Sequence, residues 1–241
     1  MLITDYEIAV AAAETPEALW ALLEGYFRDT VVNRVIYLHL PPIGAPDERS
    51  PAVRADGFPE ELVTRYLAER MFRDNPMLRY AQTSAEPVYW EAIADDARLG
   101  TRERAFVEEL TSHGLGAGVG IPVYGPNGRV GHCGLGFRAG VLRLPESTLR
   151  EFQWACQLGH LRYCDMLQAA LGPPPTLSGR ENEVLSLVAR GKSNTMIGEI
   201  LGISSHTVDA HLRRIYVKLG VFDRISAAVR GIGVGLIRAE G

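Results

Sequence analysis

Residues 177–224 read LSGRENEVLSLVARGKSNTMIGEILGISSHTVDAHLRRIYVKLGVFDR, and this stretch decides the fold of the C-terminal part of the chain. Ser178 followed by Glu181 forms a capping box, in which the Ser oxygen takes an orphan N–H and the Glu reaches back. Val184, Leu185 and Val188 recur at helical spacing before Gly191 stops the first helix. Ser193 or Asn194 caps a second helix with Ile197, Ile200 and Leu201 on one side. Gly202-Ile203 makes a tight turn, Ser204 caps again, and a longer helix follows. On it Val208, Leu212, Ile215 and Leu219 fall at i, i+4, i+7 and i+11, a single buried stripe. The other side carries His206, Asp209, Arg213, Arg214 and Lys218. Two helices joined by a short turn, the second polar and basic on its free face, make a helix-turn-helix. A plain helical bundle with a charged outer face satisfies the same pattern.

The segment resembles the C-terminal DNA-binding domain of LuxR-type regulators. The family's motif is roughly L-T-x-R-E-x-E-V-L, then G-K-S-x-x-E-I-A, then I-S-x-x-T-V-x-x-H-x-x-x-I-y-x-K-L. Leu177, Arg180, Glu181, Glu183, Val184, Leu185, Gly191, Lys192, Ser193 and Ile197 match it, as do Ile203, Ser204, Thr207, Val208, His211, Ile215, Lys218 and Leu219. Gly198 stands where Ala is usual, and Asp209 where Lys or Arg is frequent. Asp209 thus either removes a phosphate partner or accepts from a cytosine amino group. The resemblance implies contacts to a double-stranded DNA operator from Lys192, Ser204, Ser205, His206, Thr207, Asp209, Ala210, Arg213, Arg214 and Lys218. His211 reads as structural.

The 241-residue chain is 46% hydrophobic, ample core for one or two domains. Neither a signal peptide nor an apolar run long enough for a membrane span stands out, so a cytoplasmic protein without membrane contact is expected. Cys133, Cys156 and Cys164 have neither metal nor disulfide-framework spacing. The net charge of −4 is unevenly spread: Gly172 to Gly241 holds nine basic and six acidic residues, leaving 16 of the 25 basic and 23 of the 29 acidic residues elsewhere. The basic excess sits where phosphate contacts need it.

Upstream, residues 4–28 hold two helical runs, the second opened by Thr15-Pro16-Glu17. Residues 31–40 (VVNRVIYLHL) are an apolar, β-branched strand. The Pro- and Gly-rich stretch 41–57 reads as a mobile surface loop. Pro59 opens a helix through Leu62, Tyr66 and Leu67, broken at Asn75-Pro76. PVYW at 87–90 is a short strand ending on Trp90, and an amphipathic helix spans Thr101 to His113. Residues 116–137 form a hairpin around Asn127-Gly128. A helix from Pro145 toward Leu171 carries Phe152, Trp154, Leu158, Leu161 and Leu167 on more than one side. GPPPT at 172–176 is a stiff linker, separating residues 1–171 from 177–241. Strands alternating with flanking helices indicate an α/β or α+β domain with helices over a central sheet.

The N-terminal part resembles, in register though less densely, the autoinducer-binding domain of the same family. That is an α-β-α sandwich holding an N-acyl-homoserine lactone, so the expected fold class is α/β followed by an all-α four-helix helix-turn-helix domain. The family pattern W-x3-Y-x8-D-P, with a Trp fifteen residues after the Asp, falls on Leu62, Tyr66, Asn75-Pro76 and Trp90. A central-strand glycine falls on Gly118, an aromatic preceding the first Trp on Phe58, and a polar-end Ser or Thr on Gly134. The resemblance places Phe58, Leu62, Tyr66, Asn75, Trp90, Gly118 and Gly134 at the ligand. In the family the first Trp donates to the lactone carbonyl and the Asp accepts from the ligand amide; Leu62 donates nothing, and Asn75 lacks the charge. Losing one bond and weakening another costs on the order of 10- to 100-fold in affinity. The ligand is then a lactone bound weakly, a different small signal, or none.

The resemblance also implies a homodimer, and two-fold pairing suits a palindromic operator; RNA polymerase is a further expected contact. A response regulator with a receiver-like N-terminal domain is the competing class, but its acidic pair, phospho-acceptor Asp and later Lys are not laid out here. An enzyme would need a nucleophile–base–acid set, phosphate loop or metal cluster. His39, His113, His132 and His160 look scattered, without ligand spacing, and neither cofactor nor metal is expected.

Overall fold

A computed structural model describes residues 1–238, which divide into two compact units, 1–40 with 51–167 and 41–50 with 168–238. In the first unit the helices are α1 (Ile3–Ala12), α2 (Pro16–Phe27), α3 (Glu60–Ala68), α4 (Pro76–Thr83), α5 (Trp90–Ala94), α6 (Thr101–Ser112) and most of α7 (Glu146–Leu171). The strands are β1 (Val32–Leu40), β2 (Ala52–Asp56), β3 (Val88–Tyr89), β4 (Gly118–Tyr124) and β5 (Val130–Phe137), in an antiparallel sheet of order β2-β1-β5-β4-β3.

Alternation along β4 and β5 explains how one sheet serves two layers. Val119, Ile121 and Val123, with Cys133, Leu135 and Phe137, point to a core shared with α1, α2 and α7, where Tyr6, Phe27 and Phe152 are buried. The residues between them are Gly118, Gly120, Pro122, His132, Gly134 and Gly136, with Gly118 opposite Gly136, Gly120 opposite Gly134 and Pro122 opposite His132. The period of two in a strand sends this second set to the other face. There Ile36, Leu38 and Leu40 of β1 meet Tyr66, Leu78 and Phe106. Glycines leave that face open.

Stretch 41–57 is not wholly irregular, as the sequence suggested. Residues 52–56 form β2, paired from Val35↔Asp56 to His39↔Ala52. An edge strand is fixed by the neighbour whose backbone it satisfies, which composition does not display. Trp90 begins α5 instead of ending a strand. Asn127 and Gly128 turn the β4–β5 hairpin with φ of 56° and 74°.

The second unit contains α8 (Gly179–Ala189), α9 (Asn194–Leu201), α10 (Ser205–Leu219) and α11 (Arg224–Gly233). Ser178 and Glu181 make the expected capping box, Ser193 rather than Asn194 caps α9, and Ser204 caps α10. Val184, Leu185, Val188, Ile197, Val208, Leu212, Ile215 and Leu219 share one core. Ile200, grouped with Ile197 from the sequence, is instead 55% exposed. Among the described residues no helix is long and apolar enough to cross a membrane.

Candidate ligand cavity and nucleic-acid interface

Between the glycine-rich sheet face and α3, α5 and α6 lies a cavity with ≈ 860 Å³ of atom-free space, its mouth included. Of the residues that the resemblance places at the ligand, Phe58, Leu62, Tyr66, Asn75 and Trp90 line it. Gly118 and Gly134 act from beneath. A Cβ on Gly118 would stand 2.6 Å from Trp90 Cε3 and Cζ3, and one on Gly134 would stand 2.7 Å from Ile36 Cγ2 and 3.2 Å from Trp90 Cζ2. Their lack of a side chain lets the indole lie against the sheet.

Asn75 is occupied at both ends. Its Oδ1 accepts from the Met77 N–H at 2.9 Å, capping α4, and its Nδ2 donates to the Tyr66 hydroxyl at 3.1 Å. Burial pushes the Tyr66 phenol up, so it stays protonated and able to donate. Leu62 is buried and apolar.

His132, set aside in the sequence as one of several scattered histidines, stands in the cavity wall at 3% exposure. Neither of its ring nitrogens, nor Trp90 Nε1, has a hydrogen-bond partner among the described residues. Burial pulls the His132 pKa down to about 4, which keeps the ring neutral at physiological pH. The alternation with Gly134 and Gly136 was the signal that could have placed it.

The other histidines are not all scattered either. On the opposite sheet face the ligand atoms of His39, His160 and Cys164 lie within 4.8 Å of one another. Hydrogen bonds engage them: Arg129 Nη1 donates to His39 Nε2 at 3.1 Å, the Tyr37 hydroxyl pairs with His160 Nδ1 at 2.8 Å, and His160 Nε2 meets Cys164 Sγ at 3.5 Å. A buried guanidinium beside the group opposes a divalent cation. The arrangement therefore fits a polar network in the core.

On the second unit, α10 presents Ser204, Ser205 and His206 exposed at its N-terminus, with Thr207 and Ala210 half-buried behind them. Ser204 Oγ accepts from the Thr207 N–H at 3.0 Å and lies 2.8 Å from Thr207 Oγ1. Arg213 and Arg214 are exposed; Arg214 Nε donates back to the Ala210 carbonyl at 3.3 Å. Asp209, considered above as a base reader or a lost phosphate partner, holds Arg213 at 2.9 Å across one turn. Lys218 reaches inward, its Nζ 2.7 Å from Oε2 of the buried Glu181. Burial pushes that carboxyl up, but Lys218 and the Ser178 groups outweigh it, and its pKa falls below the usual value. Half-buried Lys192 accepts through its carbonyl from Arg224, and so is set by α11.

Two sequence profiles cover most of the chain. The profile of the autoinducer binding domain matches residues 15–163, and that of bacterial regulatory proteins of the luxR family matches residues 175–230. The chain belongs to the LuxR family of bacterial transcription regulators. It is 31% identical to the transcriptional activator protein SolR of Ralstonia nicotianae over 188 residues, 76% of this chain and 77% of SolR. It is 32% identical to the HTH-type transcriptional regulator y4qH of Sinorhizobium fredii over 169 residues, 67% of this chain but 50% of y4qH. Among solved structures, Escherichia coli SdiA shares the fold with a TM-score of 0.72 at 21% identity, covering 97% of each chain. SdiA in complex with octanoyl-rac-glycerol gives 0.73, also at 21% identity, covering 99% of this chain and 96% of that one. The LuxR-type fold class, an α/β domain with an antiparallel sheet followed by a helical helix-turn-helix domain, is therefore as the sequence indicated.

Proposed function

We propose that this LuxR-family regulator binds a palindromic double-stranded DNA operator as a cytoplasmic homodimer, and that a small signal in the N-terminal cavity controls that binding. The observation that carries the reading is the cavity itself, lined almost wholly by apolar side chains and set in an autoinducer binding domain. Pre-formed apolar cavities with a few polar groups are the usual form of small-molecule sites.

The α10 N-terminus and its basic face enter the major groove. Ser204, Ser205, His206, Thr207 and Ala210 approach the bases and adjacent phosphates, and Lys192, Arg213 and Arg214 hold phosphates. Lys218 supports that surface through Glu181. Trp154 and Leu161, 47% and 39% exposed on α7, favour pairing through that helix. Contact with RNA polymerase would follow from bound operator.

The ligand is an uncharged amphiphile. A conventional acyl-homoserine lactone finds Leu62 in place of its carbonyl donor and Asn75 committed to Tyr66 and the α4 cap. SdiA, solved with octanoyl-rac-glycerol, is a relative in fold that takes a ligand without a lactone ring.

The test uses full-length protein from a host that makes no acyl-homoserine lactone. A DNA site is selected from random duplex, then titrated at fixed salt with and without N-octanoyl-homoserine lactone and octanoyl glycerol. A ligand-dependent shift in operator affinity supports the reading. Full affinity without ligand and indifference to both compounds would replace it with ligand-independent regulation.

A further inference from the structure

We propose that the signal carries a hydroxyl group, held between His132 and Trp90 on the glycine floor of the cavity. This rests on the reading of the cavity as the signal site and adds the chemistry of its head group.

The polar atoms of the cavity fall into two sets. Asn75 and Tyr66 are bonded to each other, Asn75 also caps α4, and Thr111 Oγ1 donates to the Val107 carbonyl at 2.9 Å. Trp90 Nε1 and both ring nitrogens of His132 are buried with no partner among the described residues. Buried polar groups in folded proteins are overwhelmingly hydrogen-bonded, and those left over mark a place where a ligand or water completes the set.

The two rings are neighbours. One Cβ placed on Gly134 would lie 3.2 Å from Trp90 Cζ2 and 3.4 Å from His132 Cε1. Cε1 is the carbon between the two imidazole nitrogens, and Cζ2 adjoins the carbon that bears Nε1. A Cβ on Gly120 would lie 2.6 Å from His132 Nε2. The missing side chains at 120 and 134 therefore make the room in which the imidazole stands.

A neutral imidazole offers one N–H and one lone pair, and the indole offers one N–H. A carbonyl or ether oxygen can satisfy the donors but leaves the imidazole lone pair unmet. An ammonium satisfies the lone pair and nothing else, and any ion loses its hydration in an apolar cavity. A hydroxyl does both at a single oxygen, donating to imidazole nitrogen and accepting from an N–H. Val53, Phe58, Leu62, Val63, Val107 and Leu110 supply the wall for an alkyl tail.

Octan-1-ol and 1-methoxyheptane have the same number of heavy atoms, and both accept, but only the alcohol donates. Calorimetric titration of the full-length protein with each is expected to show the alcohol binding at least tenfold tighter. In His132→Leu, checked for folding by circular dichroism, the alcohol is expected to lose its advantage over the ether, which still accepts from the Trp90 N–H. The wild-type pair alone decides the matter should the variant fail to fold. Equal binding of alcohol and ether to the wild type, or an undiminished preference in folded His132→Leu, would overturn the hydroxyl assignment while leaving the cavity as a signal site. If neither probe nor N-octanoyl-homoserine lactone binds, the signal-site reading fails as well.

Discussion

Trp90 rests on Gly118: the indole carbons Cε3 and Cζ3 occupy the position, 2.6 Å away, that any side chain at 118 would need for its Cβ. Gly118→Ala therefore moves the ring or the strand. Over-packing of this kind costs about 1–3 kcal/mol. The displaced Trp90 also narrows the cavity. The expected outcome is a lower thermal midpoint, by several degrees, together with weaker ligand binding. A midpoint within one degree of wild type would mean that the ring has room the structure does not show.

Gly198 is held as closely. A Cβ there would stand 2.6 Å from the Ile203 carbonyl oxygen, backbone that closes the turn between α9 and α10. The alanine usual in the family at this position is thus expected to destabilise this chain, by about 1–3 kcal/mol, despite alanine's better helix propensity. Urea unfolding of full-length Gly198→Ala tests it, and a higher midpoint than wild type would sink the idea.

What was legible in the sequence follows from how local each determinant is. The α10 stripe needed only the 3.6-residue period, and each of Val208, Leu212, Ile215 and Leu219 is buried. The start of α10 is written in its cap residue, Ser204. β2 was hidden because its strand character comes from pairing with β1, not from its own composition. Ile200 was misassigned because an eight-residue helix offers too few turns to fix its buried side. The cavity residues Phe58 to Trp90 came from family register. His132 was missed because its meaning lies in the alternation that puts it on the face of Gly134, and in neighbours from β4. The Asp209–Arg213 pair could have been read from its spacing of four.

That pair yields a prediction on DNA binding. Both side chains are substantially exposed, so their attraction contributes at most about 1 kcal/mol to the fold. In the proposed operator contact, however, Asp209 would compete with phosphate for Arg213. Asp209→Ala is expected to raise operator affinity several-fold with little change in thermal midpoint, and to steepen the salt dependence by about one counterion. Arg213→Ala should do the reverse, weakening binding without unfolding the unit. An unchanged affinity in Arg213→Ala would remove it from the contact surface.

The final prediction concerns acid. Burial pulls His132 down to about 4, and burial, with His39 next, does the same to His160. The unfolded chain takes up these protons near pH 6.5, whereas the folded chain resists until about pH 4. Between those limits the unfolded state binds more protons, so stability falls as the pH falls. The contribution is complete above about pH 6.5 and withdraws up to about 3 kcal/mol per histidine by the time both states are protonated. His132→Leu removes one such group and also replaces a ring whose two buried nitrogens have no partner among the described residues by an apolar side chain. Without ligand, the variant is expected to be at least as stable as wild type at pH 7 and to lose less on acidification. Urea midpoints measured from pH 7.5 to 4.5 give both slopes, and identical slopes would show that the His132 imidazole is protonated freely within the fold.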